Sequence, residues 1–130
     1  MIFRLIRAYF WLMFFGFPSK KLKIIMVTGT DGKTTTCNLI YQMLKNSGKK
    51  VGIISTVLTS SLTRTYETGF HTTTPSSYLI NKVLSDMSKD GCEYAVIEAT
   101  SHAIDQMRIF GIESKVSVIT NVTSEHLDYH

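Results

Sequence analysis

The run Met26-Val27-Thr28-Gly29-Thr30-Asp31-Gly32-Lys33-Thr34-Thr35-Thr36 decides the fold, because an apolar stretch passes through a glycine-rich turn into a Lys-Thr pair that opens a helix. In such an arrangement the backbone N–H groups of the turn and of the helix N-terminus converge on one point, where a phosphate fits. Lys33 supplies charge against terminal phosphates, and the Thr34 hydroxyl supplies a hard oxygen suited to Mg²⁺. The pattern G-x-x-x-x-G-K-[ST] is not met in full, since Val27 stands where its first glycine would be. ATP is the expected occupant of this loop.

The 130 residues suffice for one core, and 44% hydrophobic with 18% charged residues is ordinary for a globular chain. Charge is uneven. Residues 1–50 carry nine Lys/Arg and one Asp, whereas residues 51–130 carry five Lys/Arg and nine Asp/Glu. No basic and aromatic residues interleave on a recognisable nucleic-acid motif, so nucleic acid is not an expected partner. The two cysteines, Cys37 and Cys92, lack metal or disulfide spacing. A reducing cytoplasm is therefore the expected setting.

Residues 1–17 are rich in Phe, Leu and Ile, but Arg4 and Arg7 interrupt them. The uncharged run from Ala8 to Pro18 falls short of the roughly 20 apolar residues that span a bilayer. Three readings stay open for this segment: a helix at a membrane surface or against a partner, plain core packing, or a cleaved signal. The last lacks a small-x-small cleavage site. The chain divides into this hydrophobic and basic segment, 1–21, and a domain, 22–130.

That domain alternates strand and helix. Leu22–Thr28, Val51–Thr56, Tyr94–Ile97 and Val116–Ile119 read as strands. Lys33–Asn46 reads as a helix with Cys37, Ile40, Met43 and Leu44 on one face, ended by Gly48. Leu58–Phe70 reads as a loop or short hairpin. A second helix is expected to start with Thr74 as cap and Pro75 in the first turn, to line Leu79, Ile80, Val83, Leu84 and Met87 on one face, and to close at Gly91. The fold class is therefore α/β, a parallel sheet flanked by helices, with ligands beyond the carboxyl ends of the strands. Glu98 closes one of those strands. A carboxylate there, facing a phosphate loop, suits Mg²⁺, although a Glu at this point could also simply cap the following turn.

Four segments carry a specific resemblance. The loop T-G-T-D-G-K-T-T-T resembles that of the Mur ligases and their folylpolyglutamate synthase relatives. Glu98-Ala99-Thr100-Ser101-His102-Ala103-Ile104-Asp105-Gln106-Met107-Arg108 resembles the E-V-S-S-H-x-L-x-Q-x-R segment of those Mur ligases that add the third peptidoglycan residue. His71-Thr72-Thr73-Thr74-Pro75 is similar to their T-T-P loop. Thr120-Asn121-Val122-Thr123-Ser124-Glu125-His126-Leu127-Asp128-Tyr129-His130 is similar to their T-N-[LV]-x-x-D-H-L-D-Y-H segment, with Glu125 where Asp is usual.

The resemblance implies that Thr30, Asp31, Gly32, Lys33, Thr34 and Thr35 hold ATP. It implies that Thr34, Glu98 and His126 hold Mg²⁺, with Lys33, Glu98 and His126 as the catalytic set. Thr73, Thr74, Thr100, Gln106 and Arg108 would contact a UDP-muramoyl-peptide; His102 and His130 read equally as packing residues or as ligands. The implied reaction is ATP-dependent ligation of a substrate carboxylate to an amino acid through an acyl phosphate. No nucleophilic side chain is needed, which makes Cys37 a core residue. Full-length relatives carry an N-terminal domain for the UDP sugar and a C-terminal domain for the incoming amino acid, neither of which fits here, so a fragment or truncated reading frame is expected. Two alternatives stand beside this reading: a nucleotide-binding module without chemistry, and a folylpolyglutamate synthase relative, which the Glu98–Arg108 segment disfavours.

Overall fold

The β-branched stretches around Ile24, Ile53, Val96 and Val118 become neighbours in one sheet. The computed structural model describes residues 1–67 and 74–123. They run as α1 (Ile2–Phe14), a 3-10 turn (Pro18–Lys21), β1 (Lys23–Thr28), α2 (Lys33–Asn46), β2 (Val51–Ile54) and β3 (Thr59–Ser60). Then follow α3 (Ser77–Lys89), β4 (Tyr94–Glu98), α4 (Ser101–Asp105) and β5 (Val116–Ile119). The strand order is β3-β2-β4-β1-β5. β4 pairs in parallel with both β1 and β2, and β5 adds in parallel to the other side of β1.

Alternation along the strands divides the core between the two faces of the sheet. Val27, Ile53 and Val96 meet Cys37 and Tyr41 of α2 on one face. Ile24, Ile54 and Ile97 meet Ile80, Leu84 and Met87 of α3 on the other. Helices on both faces explain why the strands read as continuous apolar runs rather than as alternating ones. Gly52 allows α3 to sit close to β2, since a Cβ there would press on the Met87 side chain at 2.5 to 2.8 Å.

Outside α3 lies α1. Its Ala8 and Leu12 are buried, and the rings of Trp11 and Phe15 pack on Tyr78 of α3 with centroids 4.7 and 5.8 Å apart. The first seventeen residues thus include a helix with one packed stripe.

The structure amends several sequence expectations. The sheet is mixed, because β3, in the stretch read as a loop or short hairpin, pairs antiparallel with β2. β2 ends at Ile54, and Ser55 and Thr56 turn away from it. On α2, Met43 is 70% exposed and Tyr41 occupies the buried face in its place. The cap of α3 is Ser76, whose side chain accepts from Leu79 N, so the helix begins two residues later than Thr74-Pro75 suggested. The Thr74 hydroxyl has another partner, the carbonyl of Glu98 at 3.1 Å.

Leu84 is fully buried between α3 and the sheet. Leu84→Ala is expected to cost about 2–5 kcal/mol, a large part of a small domain's stability, and urea denaturation followed by circular dichroism measures it.

Candidate functional site

The site forms where β1, β4 and β5 end. Between Thr28 and Lys33 the chain turns through Gly29, at φ +138°, and Gly32, at φ +79°, both backbone conformations that favour glycine. Gly29 is further constrained by contact. A Cβ there would run into the Thr120 hydroxyl and lie 3.1 Å from Asn121 N, so the end of β5 can approach only a glycine.

That approach is used for hydrogen bonding. Asn121 Oδ1 accepts from the backbone N–H of both Thr30 and Asp31, at 3.1 and 2.9 Å. Thr120 Oγ1 donates to Asp31 O at 2.6 Å, and Thr123 N donates to Thr30 Oγ1 at 3.0 Å. The loop is therefore held from the end of the neighbouring strand by residues about 90 positions later in the chain. Motif reading took in this segment for its resemblance but assigned no role to Asn121, Thr120 or Thr123; the signal that could have marked them is their position just after a strand adjacent to β1.

Past the loop, α2 begins at Lys33 with Gly32 as N-cap and no capping side chain among the described residues. The N–H groups of Lys33, Thr34 and Thr35 have no intrahelical acceptor, and the helix dipole adds positive potential at the same end. Lys33 folds back so that Nζ donates to Gly29 O at 2.8 Å and Thr30 O at 2.9 Å. An ammonium has three donors, and these two bonds hold the charge directly over the turn.

Glu98, at the end of the central strand β4, is 1% exposed. A carboxylate so buried needs donors. Thr34 Oγ1 donates to it at 2.9 Å, while Thr56 donates to Oε2 from both its backbone N, at 2.9 Å, and its hydroxyl, at 3.0 Å. Thr56 is a further site residue that motif reading passed over, because it lies on the turn after β2 and outside any recognisable pattern. Neighbouring Cys37 is buried in the core as expected. Burial, reinforced by the Glu98 charge and only partly opposed by Lys33, pushes its thiol up to about 12.

Beyond Glu98 the resemblance-derived residues form one network. Thr74 Oγ1 lies 3.4 Å from Thr100 Oγ1, and Thr100 caps α4 by accepting from Ala103 N at 3.1 Å. Arg108 Nη1 donates to Thr74 O at 2.6 Å, while its Nε and Nη2 both donate to Gln106 Oε1, at 2.9 and 2.6 Å. Arg108 thereby ties the segment before α3 to the turn after α4.

These parts enclose an open cleft of about 680 Å³. Thr30, Lys33 and Thr34 line one wall, Glu98 and Thr56 the floor, and Thr100, His102, Asn121 and Thr123 the remainder. Thr74 is buried behind Thr100, and Asp31, Gly32 and Thr35 sit on the loop and first helical turn rather than on the lining. Thr73, His126 and His130 lie outside the described residues. Among the described residues no three His, Cys, Asp or Glu side chains gather around one point. The local donor set is one carboxylate with hydroxyls, which fits a hard divalent cation that takes its other oxygens from phosphate and water.

Fold and site together define an α/β domain in which a helix N-terminus without a capping side chain opens on a cleft beside a buried carboxylate. The chain belongs to the Mur ligase family: residues 27–130 match the Mur ligase middle domain. A UDP-N-acetylmuramoyl-L-alanyl-D-glutamate–2,6-diaminopimelate ligase of Geobacillus thermodenitrificans is 43% identical over 117 residues, 90% of this chain and 24% of that protein. A UDP-N-acetylmuramyl-tripeptide synthetase of Borreliella afzelii is 44% identical over 124 residues, 91% of this chain and again 24% of the relative. A solved structure of a UDP-N-acetylmuramoyl-L-alanyl-D-glutamate–2,6-diaminopimelate ligase superposes with a TM-score of 0.71 at 32% identity, covering 82% of this chain and 21% of that one. The chain thus spans about a quarter of the length of the curated relatives it matches.

Two outcomes are expected from this geometry. Asn121→Ala removes the shared acceptor, so amide hydrogen exchange at Asp31 should accelerate well beyond that at Val27; unchanged protection would show that the backbone turn holds itself. The Cys37 thiol titrates first in the unfolded chain, from about 8.5, while the folded state keeps its proton up to about 12. The unfolded state therefore binds fewer protons in this window, and stability falls as pH rises through it. Cys37→Ala should flatten that alkaline decline in a series of denaturation curves.

Proposed function

We propose that this chain is the nucleotide-handling part of an ATP-dependent, ADP-forming ligase of peptidoglycan precursor synthesis, which adds an amino acid to UDP-N-acetylmuramoyl-dipeptide through an acyl phosphate. In this reading residues 22–130 form the N-terminal part of the central ATP-binding domain, preceded by the separate segment 1–21, and the reaction takes place in the cytoplasm. The observation that carries it is the pairing of Thr34 with buried Glu98 at 2.9 Å, beside a helix N-terminus whose cap is Gly32 and close to the Lys33 ammonium. The names of the relatives support the choice of substrates.

The residues divide the work as follows. N–H groups of Lys33, Thr34 and Thr35 receive the ATP phosphates, and the third Lys33 donor turns to the terminal phosphate. Thr34 and Glu98, joined by His126, would hold Mg²⁺, and the ion would supply positive charge against the phosphate oxygens. Thr30, Asp31 and Gly32 shape the loop that receives the phosphates. Thr100 presents its hydroxyl to the muramoyl-peptide, with Thr73 beside it, while Thr74, Gln106 and Arg108 fix the wall on which that substrate rests. A carboxylate oxygen of the substrate bonds to the γ-phosphorus as the bond to the β-phosphate oxygen breaks, releasing ADP. The amine then bonds to the acyl carbon, phosphate departs, and the amine loses a proton. Both steps place charge on oxygens, so the protein contributes positioning and electrostatics rather than a nucleophile.

Calorimetric titration with ATP and Mg²⁺ tests the assignment. Lys33→Ala and Glu98→Ala should each weaken binding by about tenfold or more, the loss expected for a charged hydrogen-bonding group, while Lys89→Ala on the exposed end of α3 should leave it unchanged. Equal affinity in all three would remove the site. Arg108→Ala should retain nucleotide affinity and lose affinity for UDP-muramoyl-dipeptide; the reverse pattern would reassign its role.

A further inference from the structure

α1 is apolar on the side that packs and on the side that does not. Turning by about 100° per residue, the helix places Ala8 and Leu12 against the domain and Ile2, Phe3, Ile6, Phe10, Met13 and Phe14 on the far side. Phe3 is 83% and Phe14 66% exposed. A helix with two apolar faces calls for cover on both. Residues 1–26, which include this helix, precede the part of the chain that the Mur ligase middle domain matches, and the proposed function gives none of them a role.

Charge identifies the cover. The first thirty residues hold five Lys/Arg and no Asp or Glu. Arg4 and Arg7 border the outer face on one flank. On the other, Tyr9 packs on Phe17 with ring centroids 6.4 Å apart, and the Lys20 ammonium lies 5.0 Å from the Phe17 ring. Arg4 and Arg7 also line a groove of about 530 Å³ together with Phe3, Ile6 and Phe10, so cations and apolar surface share one cavity. A second copy meets these requirements poorly: pairing two such faces would bring like charges together, and a stable interface takes about 20–30 residues a side. We infer that α1 lies in the plane of an anionic lipid surface. Its outer aromatic and aliphatic side chains enter the boundary between headgroups and acyl chains, while Arg4, Arg7 and Lys20 reach the headgroup phosphates. No helix of the described residues is long and apolar enough to cross a membrane, which agrees with an in-plane position.

Co-sedimentation of the full chain with vesicles tests this. Mixed phosphatidylcholine–phosphatidylglycerol vesicles should carry the protein down, pure phosphatidylcholine vesicles much less, and added salt should release it. Arg4→Gln with Arg7→Gln should weaken binding to the mixed vesicles by about tenfold or more. Ile6→Glu with Phe10→Glu should abolish it, and because both residues face outward the circular dichroism spectrum and melting temperature should stay unchanged. Failure to bind mixed vesicles, equal binding to neutral ones, or binding that survives Ile6→Glu with Phe10→Glu would each overturn the proposal. So would a dimer in sedimentation equilibrium that Phe10→Glu dissolves and that ignores vesicles, which would give the face to a second copy.

Discussion

A carboxylate taken out of water at Glu98 has to be met by donors, and the arrangement of the cleft follows from where those donors come from. β4 lies between β2 and β1 in the sheet. The chain leaving β1 therefore passes on one side of Glu98 and delivers Thr34, while the chain leaving β2 passes on the other and delivers Thr56. Strand order thus becomes a coordination geometry: two hydroxyls and an amide converge on one anion because their strands flank its strand. The same hydroxyl of Thr34 sits in the first turn of α2, which brings the carboxylate and the positive end of the helix within one bond of each other.

The loop opposite is fixed by a different economy. A turn rich in glycine is costly to order, since each glycine surrenders more freedom than any other residue. Here the ordering is shared with the end of β5, which supplies an acceptor and two donors. One side chain oxygen, on Asn121, satisfies two successive amides. The loop is consequently a tertiary structure rather than a local one, and its shape depends on the pairing of β1 with β5.

What could be read in advance follows the range of the forces involved. α2 is bounded as expected because its limits are local: Gly32 before it and Gly48 after it. The β-branched strands were legible for the same reason, and the Lys33–Glu98 opposition followed from the rule that ligands gather at strand ends. Thr74 misled because a Thr-Pro pair has the chemistry of a helix start; Ser76 does the capping, and the Thr74 hydroxyl is drawn to a carbonyl that belongs to β4, 24 residues away. Met43 misled because, six residues after Cys37, it is turned about 120° away from the face that Cys37 and Tyr41 share against the sheet. Thr56 carried no local signature, and Asn121 only its place in a motif just after a strand. Their roles exist only once β2, β4, β1 and β5 are side by side.

The outermost parallel strand, β5, is the most lightly covered part of the sheet. It pairs only with β1 among the described residues, and Val116 and Ile119 are exposed. Its free side offers a ladder of unpaired amides and carbonyls next to β-branched side chains, the features by which one sheet recruits another. The sheet is thus built to be extended at β5, where a further strand could add by backbone pairing alone.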